Sequence, residues 1–501
     1  MPVTLRIAFR NLFEHKSKSI IIGILLALGA FVLVLGNSFI DASRQGIRTA
    51  FTDNYTGDVF VSGISAEGEV SLFGVTSVGG LAATPQIAEF EDLLSVIKAS
   101  PLVEKATGMA TSYGIVTKGE ELTPSDAEDS EGHDMASRLL FLFGIDARDY
   151  WTVFDSIDIV SGKALAPGET GLVINEAQLA KLSKWMKRPL GIGDSLVVQG
   201  FSSAGMKIRE LPIVATYRQK GEGATPEQMA FVDIDTLRIM AGMTVGTNED
   251  IVLKDSDTAM LGTSDTDSLF GDDLFEEAPA QGGFDEKRIQ AQLADTTARE
   301  KANTADTGAW QFIVIKTKTP SGAPALIAQL NETFQKDGIS AVAGDWQKAA
   351  GPYGQSVDVI RIVFTVAIAI LSIVAIIIIM NTFVISVIER TGEIGTMRAI
   401  GAGRGFIRGL FAAEAIVLSI VFSTVGAFLG TAAVAILKAL KLEAGNPFLE
   451  VLFGGKYMSP FVTPLSFLAA ILAMVAVGYI AHLYPVSVAL KIEPVRAMQQ
   501  E

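Results

Sequence analysis

Four apolar runs, one near the start of the chain and three crowded into its last third, decide most of what this sequence can become. A hydrocarbon core about 30 Å thick takes about 20 apolar residues to cross as a helix, the form that satisfies its own backbone hydrogen bonds. Residues 20–40, 362–388, 410–437 and 465–490 reach that length. The first follows a basic leader, residues 1–18, yet it is longer than the apolar core of a signal peptide and no small-x-small site comes after it. An uncleaved signal anchor is therefore expected.

Charge separates along the same lines. Residues 1–40 hold four Lys/Arg against Glu14, and residues 358–501 hold ten Lys/Arg against eight Asp/Glu, so the formal −15 of the chain leaves −20 on residues 41–357. An acidic soluble domain is held between membrane segments, and its charge excludes nucleic acid as a partner. With no cysteine in 501 residues, disulfides, thiol catalysis and Cys-ligated metals are excluded as well.

Lys and Arg in short flanks orient a membrane protein. With the N-terminus inside, the leader supplies four, the 389–408 loop supplies Arg390, Arg398, Arg404 and Arg408, and the tail supplies Lys491 and Arg496. The short outer loop holds Lys438, Lys441 and Lys456. Ten against three predicts both termini in the cytoplasm and the acidic domain outside. The domain plan is then a leader at 1–18, the first span with a stalk at 19–52, an extracytoplasmic α+β domain at 53–350, and a stalk with the second span at 351–388. A cytoplasmic loop at 389–407, a third span at 408–437, an outer loop at 438–463, a fourth span at 464–490 and a tail at 491–501 complete it.

The stalks follow from length. Apolar positions continue at helical spacing past residue 40 (Ile47, Ala50, Phe51), and a helix over 357–388 would be roughly 45–50 Å long, well beyond the hydrocarbon core. On the third span, Gly426 and Gly430 form a G-x-x-x-G that admits a closely packed helix, within the subunit or from another one. Glu414 lies well inside that span and is expected to pair near the cytoplasmic interface, with Arg408 fewer than two turns away. His482 reads as an interfacial side chain.

In the outer domain, residues 58–63, 171–175, 195–199, 211–217 and 311–317 read as strands, and 85–99, 176–186 and 324–336 as amphipathic helices. Asp-Val-Phe-Val near its start and Phe-Ile-Val-Ile near its end are expected to share a sheet. Residues 254–310, rich in Asp, Glu, Ser, Thr and Gly, read as a flexible acidic insertion, since Asp265 and Asp267 lack the rest of a calcium loop. His15, His133 and His482 are too scattered for a metal site, and neither a nucleophile elbow nor a P-loop is present. The chain is expected not to be an enzyme, to bind no metal and to carry no cofactor of its own.

Residues 381–403 (Asn-Thr-Phe-Val-Ile-Ser-Val-Ile-Glu-Arg-Thr-Gly-Glu-Ile-Gly-Thr-Met-Arg-Ala-Ile-Gly-Ala-Gly), followed by Phe-Ala-Ala-Glu-Ala-Ile-Val-Leu-Ser, resemble the FtsX-like permease domain of MacB-type ABC transporters. The leader Leu-Arg-Ile-Ala-Phe-Arg-Asn-Leu-Phe-Glu-His-Lys and the exit Tyr-Pro-Val-Ser-Val-Ala-Leu-Lys-Ile-Glu-Pro-Val-Arg-Ala-Met resemble the same family. The resemblance implies a coupling helix in the loop after the second span, seated on a separate ABC ATPase dimer that binds the ATP and Mg. Glu389, Arg390, Thr391, Gly392, Glu393, Ile394, Met397, Arg398 and Gly401 fall on it. Glu389, Arg390, Glu393 and Arg398 would make polar contacts, Ile394 and Met397 would be apolar anchors, and Gly401 and Gly403 would permit the turn.

The resemblance further implies an inner-membrane permease that pairs with a second copy or a related permease and passes ATP-driven motion outward by mechanotransmission. Lipoprotein release, as in LolC- and LolE-like members, or export of a hydrophobic substrate is expected; Asp345-Trp346 before the second span resembles a pair in the lipoprotein-releasing group. The alternative is a non-transporting scaffold that regulates an extracytoplasmic partner such as a cell-wall hydrolase.

Overall fold

The computed structural model describes residues 16–77, 80–118, 134–202, 205–220, 226–245, 304–445, 449–450 and 455–490. Most of the leader, residues 254–303 of the acidic insertion and the tail 491–501 lie outside the described residues.

The first span is part of one helix, α1 (Lys16–Phe51), of 36 residues. At 1.5 Å per residue it is about 54 Å long, so its outer third stands clear of the hydrocarbon. It widens into a π-helical turn at Thr52–Thr56 and stops at Gly57, where φ is 61° and the Ile315 carbonyl leaves no room for a Cβ. Only glycine meets both demands.

The soluble domain follows. In chain order it contains β1 (Val59–Gly63), β2 (Glu69–Ser71), β3 (Gly74–Ser77), β4 (Gly80–Ala82), α2 (Phe90–Lys98), β5 (Val103–Thr117), α3 (Asp134–Arg138), β6 (Leu139–Ile145) and α4 (Tyr150–Val153). Then come β7 (Ile157–Gly162), β8 (Leu172–Asn175), α5 (Glu176–Met186), β9 (Ser195–Ser202), β10 (Gly205–Gln219), β11 (Met229–Asp233) and α6 (Ile234–Met240). After the insertion come β12 (Phe312–Thr317), α7 (Ala323–Asp337), β13 (Ala341–Asp345) and the short α8 (Trp346–Ala349). The two segments expected to share a sheet do so: β1 and β12 run antiparallel, with Val59 opposite Ile315.

Two strands of 15 residues, β5 and β10, organise the domain by serving different neighbours along their length. The first half of β5 pairs with β12, extending through β1 to β13, while its second half pairs with β6 and β9. From β6 the order runs through β11, β8 and β10 to β9, which returns to β5, so six strands close on themselves. Side chains alternate across a strand, and here the two parities feed separate cores. Leu140, Leu142, Leu172, Ile174, Ala230 and Val232 bury themselves in one cluster with Leu179, Leu182 and Leu237 of the helices. Phe143, Val173 and Phe231 join a second cluster, rich in aromatic rings, that takes in Ile47, Phe51 and Tyr55 from the end of the membrane helix. A third cluster lies under α2 and α7.

Asp345 caps α8, its carboxylate accepting the Lys348 N–H at 3.1 Å, and Trp346 is buried in the aromatic cluster. That pair therefore has a structural task where the domain re-enters the membrane. The chain leaves through α9 (Pro352–Glu389), a 38-residue helix, then α10 (Thr391–Ala399), α11 (Arg404–Leu440) and α12 (Pro464–Ala489). Among the described residues, four helices are long and apolar enough to cross a membrane, and an α+β domain is inserted between the first and second.

Candidate functional site

The loop between the second and third spans is a helix, α10, packed across the ends of three others. Ile394 is buried, 1% exposed, among Val387 of α9, Ile407 and Phe411 of α11, and Val486 of α12, with Leu490 just beyond that helix. At the junction of α9 and α10 the Thr391 hydroxyl donates to the Ile388 carbonyl at 2.5 Å and satisfies one of the acceptors that a helix end leaves open. The other end of α10 is closed by Gly401, at φ 101°, with Ala402 N–H donating to Met397 O at 3.0 Å. Gly403 has an ordinary extended backbone and precedes α11.

Arg390 ties this assembly together. Its Nη1 meets Glu414 Oε2 at 3.1 Å and Oε1 at 3.3 Å, its Nε donates to Glu393 Oε2 at 3.1 Å, and its guanidinium lies 5.6 Å from the centre of the Phe411 ring. The Arg390 and Glu414 side chains are only 5% and 9% exposed. A charged pair this buried depends on both members, because either one alone would be an uncompensated charge away from water.

Several expected roles change accordingly. Glu414 pairs with Arg390 and not with Arg408: six residues back at about 100° per residue is about 240° round the helix, so Arg408 faces away and is exposed. Arg390 and Ile394, expected to touch a partner, are both turned inward. Met397 packs at the edge of the Ile394 cluster, and Arg398 is half-buried and already engaged. Glu389 is exposed and also has a partner. The outer face of α10 consists of Gly392, Glu393, Thr396 and Ala399, and it runs into Ile400, which is 89% exposed. Ile400 was passed over in the sequence because an apolar residue just ahead of a glycine turn reads as the approach to the next helix.

Inside the membrane region, Gly426 and Gly430 serve this chain's own packing. A Cβ on Gly426 would run into the Ala27 carbonyl of α1, and one on Gly430 would press on Val34 and the Phe31 carbonyl. His482, expected at the interface, is packed among the helices, 2% exposed, with Nδ1 against the Tyr479 carbonyl. Among the described residues, no group of three or more His, Asp or Glu is placed to hold a metal ion.

Residues 365–494, which contain α10, the Arg390–Glu414 pair and the last two spans, match the FtsX-like permease C-terminal family. The macrolide export ATP-binding/permease protein MacB 1/2 of Paracoccus denitrificans (strain Pd 1222) is 36% identical over 122 residues, 24% of this chain and 16% of that protein. An uncharacterised ABC transporter permease, YknZ, of Bacillus subtilis (strain 168) is 32% identical over 126 residues, 25% of this chain and 27% of its own length. The chain thus spans less than a third of either relative.

Among solved structures, the extracellular domain of a YknZ from Gram-positive bacteria overlaps 57% of this chain and 99% of itself, at 10% identity and a TM-score of 0.28. The periplasmic region of MacB from Actinobacillus actinomycetemcomitans overlaps 60% of this chain and 91% of itself, also at 10% identity and a TM-score of 0.28. Overlaps so slight carry no weight, and the α+β domain stands on its own strand pairings. The likeness rests on the membrane half: residues 365–494 match the FtsX-like permease C-terminal domain, and the likeness to MacB and YknZ covers about a quarter of the chain.

Proposed function

We propose that this chain is the transmembrane subunit of an ABC transporter, with ATP and Mg bound and hydrolysed on a separate ATPase dimer that docks on the outer face of α10. The observation that carries this reading is the two-sidedness of α10. Its inner face is clamped to three spans by the Ile394 cluster and the Arg390–Glu414 pair, while Ile400 and the Glu393 side leave an apolar anchor with a polar rim. An exposed large apolar residue beside polar groups is the kind of patch that a groove in a partner takes up. A push on α10 then moves the cytoplasmic ends of α9, α11 and α12 together.

The positive flanks orient α10 to the cytoplasm and the α+β domain to the outside of the inner membrane. Continuous helix in α1 and α9 gives a mechanical route between the two sides, since both run from the membrane directly into the aromatic core of the domain. α9 is also the most exposed span, with 6% of its apolar window buried inside the chain against 28–33% for the others, which leaves surface for a second permease copy or a homologous one. Outward movement of lipoprotein, or of another hydrophobic cargo, by mechanotransmission fits this route.

The test is affinity purification of the tagged chain in mild detergent. The wild type should bring down a P-loop ATPase, Ile400→Asp should lose it and Ile400→Leu should keep it; a co-eluting lipoprotein would name the cargo. Recovery of no ATPase, under conditions that hold a known complex of this kind together, would overturn the reading and favour a non-transporting scaffold.

A further inference from the structure

β5 gives up one neighbour before it takes the next. Along the edge opposite β6 it pairs with β12 as far as Met109 and with β9 from Gly114, and no described strand covers Ala110 to Tyr113 in between. At about 3.4 Å per residue this leaves about 14 Å of strand edge unpaired among the described residues. The Thr111 N–H points into the opening and is met by a side chain, donating to Gln311 Oε1 at 2.8 Å. By the period of two, Tyr113 turns its main-chain groups toward the same edge.

A cavity of about 260 Å³ lies over this opening, with Thr111, Tyr113, Phe141, Phe201, Met243 and Gln311 among its walls. Gln311 is 5% exposed; its carbonyl oxygen is held by Thr111, and its NH2 group has no hydrogen-bond partner among the described residues. The amide lines the cavity, so a molecule lodged there meets a donor that a carbonyl oxygen would satisfy. None of the residues lining the cavity is charged, although the domain around it is strongly acidic.

We propose that this opening is a binding site for an uncharged, extended stretch of peptide, with one aromatic or large apolar side chain lodged between Phe141 and Phe201 and its backbone laid against β5. A peptide supplies what the site lacks: a carbonyl for the Gln311 amide and main-chain groups for a strand edge. The lining excludes acidic and basic side chains, since a buried ion would have no counter-charge there. The cavity takes one such residue, so recognition is of a short motif on an outside partner or cargo. This proposal rests on the α+β domain alone and is independent of the ATPase reading.

The experiment is saturation-transfer difference NMR on the full chain in lipid nanodiscs, with N-acetyl-L-phenylalaninamide as the probe and empty nanodiscs as the blank. Ring protons of the probe should receive saturation above the blank. The transfer should fall at least about fivefold in Gln311→Leu, as expected for one lost hydrogen bond. It should also fall in Thr84→Trp, which fills the cavity from a loop and so spares the sheet if the first variant misfolds. The D-enantiomer, unable to lay both ring and backbone in place, should bind more weakly. No transfer above the blank, equal transfer from the two enantiomers, or transfer untouched by both variants would each overturn the proposal.

Discussion

Tyr55, four residues past the end of the first membrane helix, stacks on Phe231 in the centre of the soluble domain, with ring centroids 5.9 Å apart and planes inclined by 12°. Its hydroxyl lies 3.1 Å from that of Tyr217 and accepts from Gln219 Nε2 at 2.9 Å, while Tyr217 donates to the Met229 carbonyl at 2.9 Å. The helix end is therefore a packed and hydrogen-bonded part of the domain's core, and a displacement of α1 cannot be absorbed by a loose joint.

Truncating that joint should separate the two halves of the chain. Tyr55→Ala removes a fully buried aromatic ring and should cost the domain about 3–5 kcal/mol. Thermal melts followed by near-UV circular dichroism should show the aromatic signal lost at a lower temperature. The far-UV helical signal of the spans should persist above it.

The same core fixes the alkaline limit of the domain. Burial pushes the Tyr113 hydroxyl up to about 12, and the buried Tyr150 and Tyr217 well above the ordinary value of 10. Each is favoured neutral in the folded chain, so the stability it contributes is complete below pH 10. That contribution is lost as pH rises above 10, for Tyr113 as it passes through about 12. Absorbance at 295 nm should show these tyrosines silent at pH 10.5 and appearing together with loss of the near-UV signal. Smooth titration of all tyrosines around pH 10 in the folded protein would contradict the burial.

Arg390 and Glu414 should behave as a unit. Arg390→Ala alone leaves Glu414 charged and buried, with an expected cost of about 3–5 kcal/mol, and Glu414→Ala should cost a similar amount. The double replacement Arg390→Leu with Glu414→Leu removes both charges and should regain most of the loss. A double-mutant cycle of Arg390→Leu, Glu414→Leu and the two together, on detergent-solubilised protein and read by thermal unfolding, should give a coupling energy above about 1 kcal/mol. A simple sum of the two single effects would mean that the pair is not coupled.

How much of this was legible beforehand follows the range of the interactions. The spans and the long stalk helices were readable because apolar length and helical period are local, and β8 and β12 because Leu-Val-Ile and Phe-Ile-Val-Ile-Lys-Thr are β-branched runs. β5 was not, because Val-Glu-Lys-Ala-Thr-Gly-Met-Ala-Thr-Ser-Tyr-Gly gives a small, polar strand no alternation to detect; its glycines make room for neighbours, Gly114 for Val198 and Leu142. In residues 389–401 the residue types were visible, and which side each would face was not. Arg390 finds Glu414 across 24 positions, and that long-range contact turns a residue that looks like surface into the interior.

Gly426 offers the sharpest test of the membrane packing. Its Cα approaches the α1 backbone so closely that a Cβ would occupy the space of the Ala27 carbonyl, and α1 is hemmed in by the other spans, with Gly29 against Met474 of α12 and Gly36 against Phe364 of α9. Gly426→Val should therefore force α11 away from α1 and destabilise the bundle by about 1–3 kcal/mol or more. Gly409→Val, where a Cβ has open space, should have little effect. Cysteine pairs offer a second readout, since this chain has no cysteine of its own. A disulfide engineered between Phe31→Cys and Ala427→Cys should form less readily in the Gly426→Val background. Unchanged cross-linking and an unchanged melting temperature there would mean that the glycine serves a partner's helix rather than this chain's own.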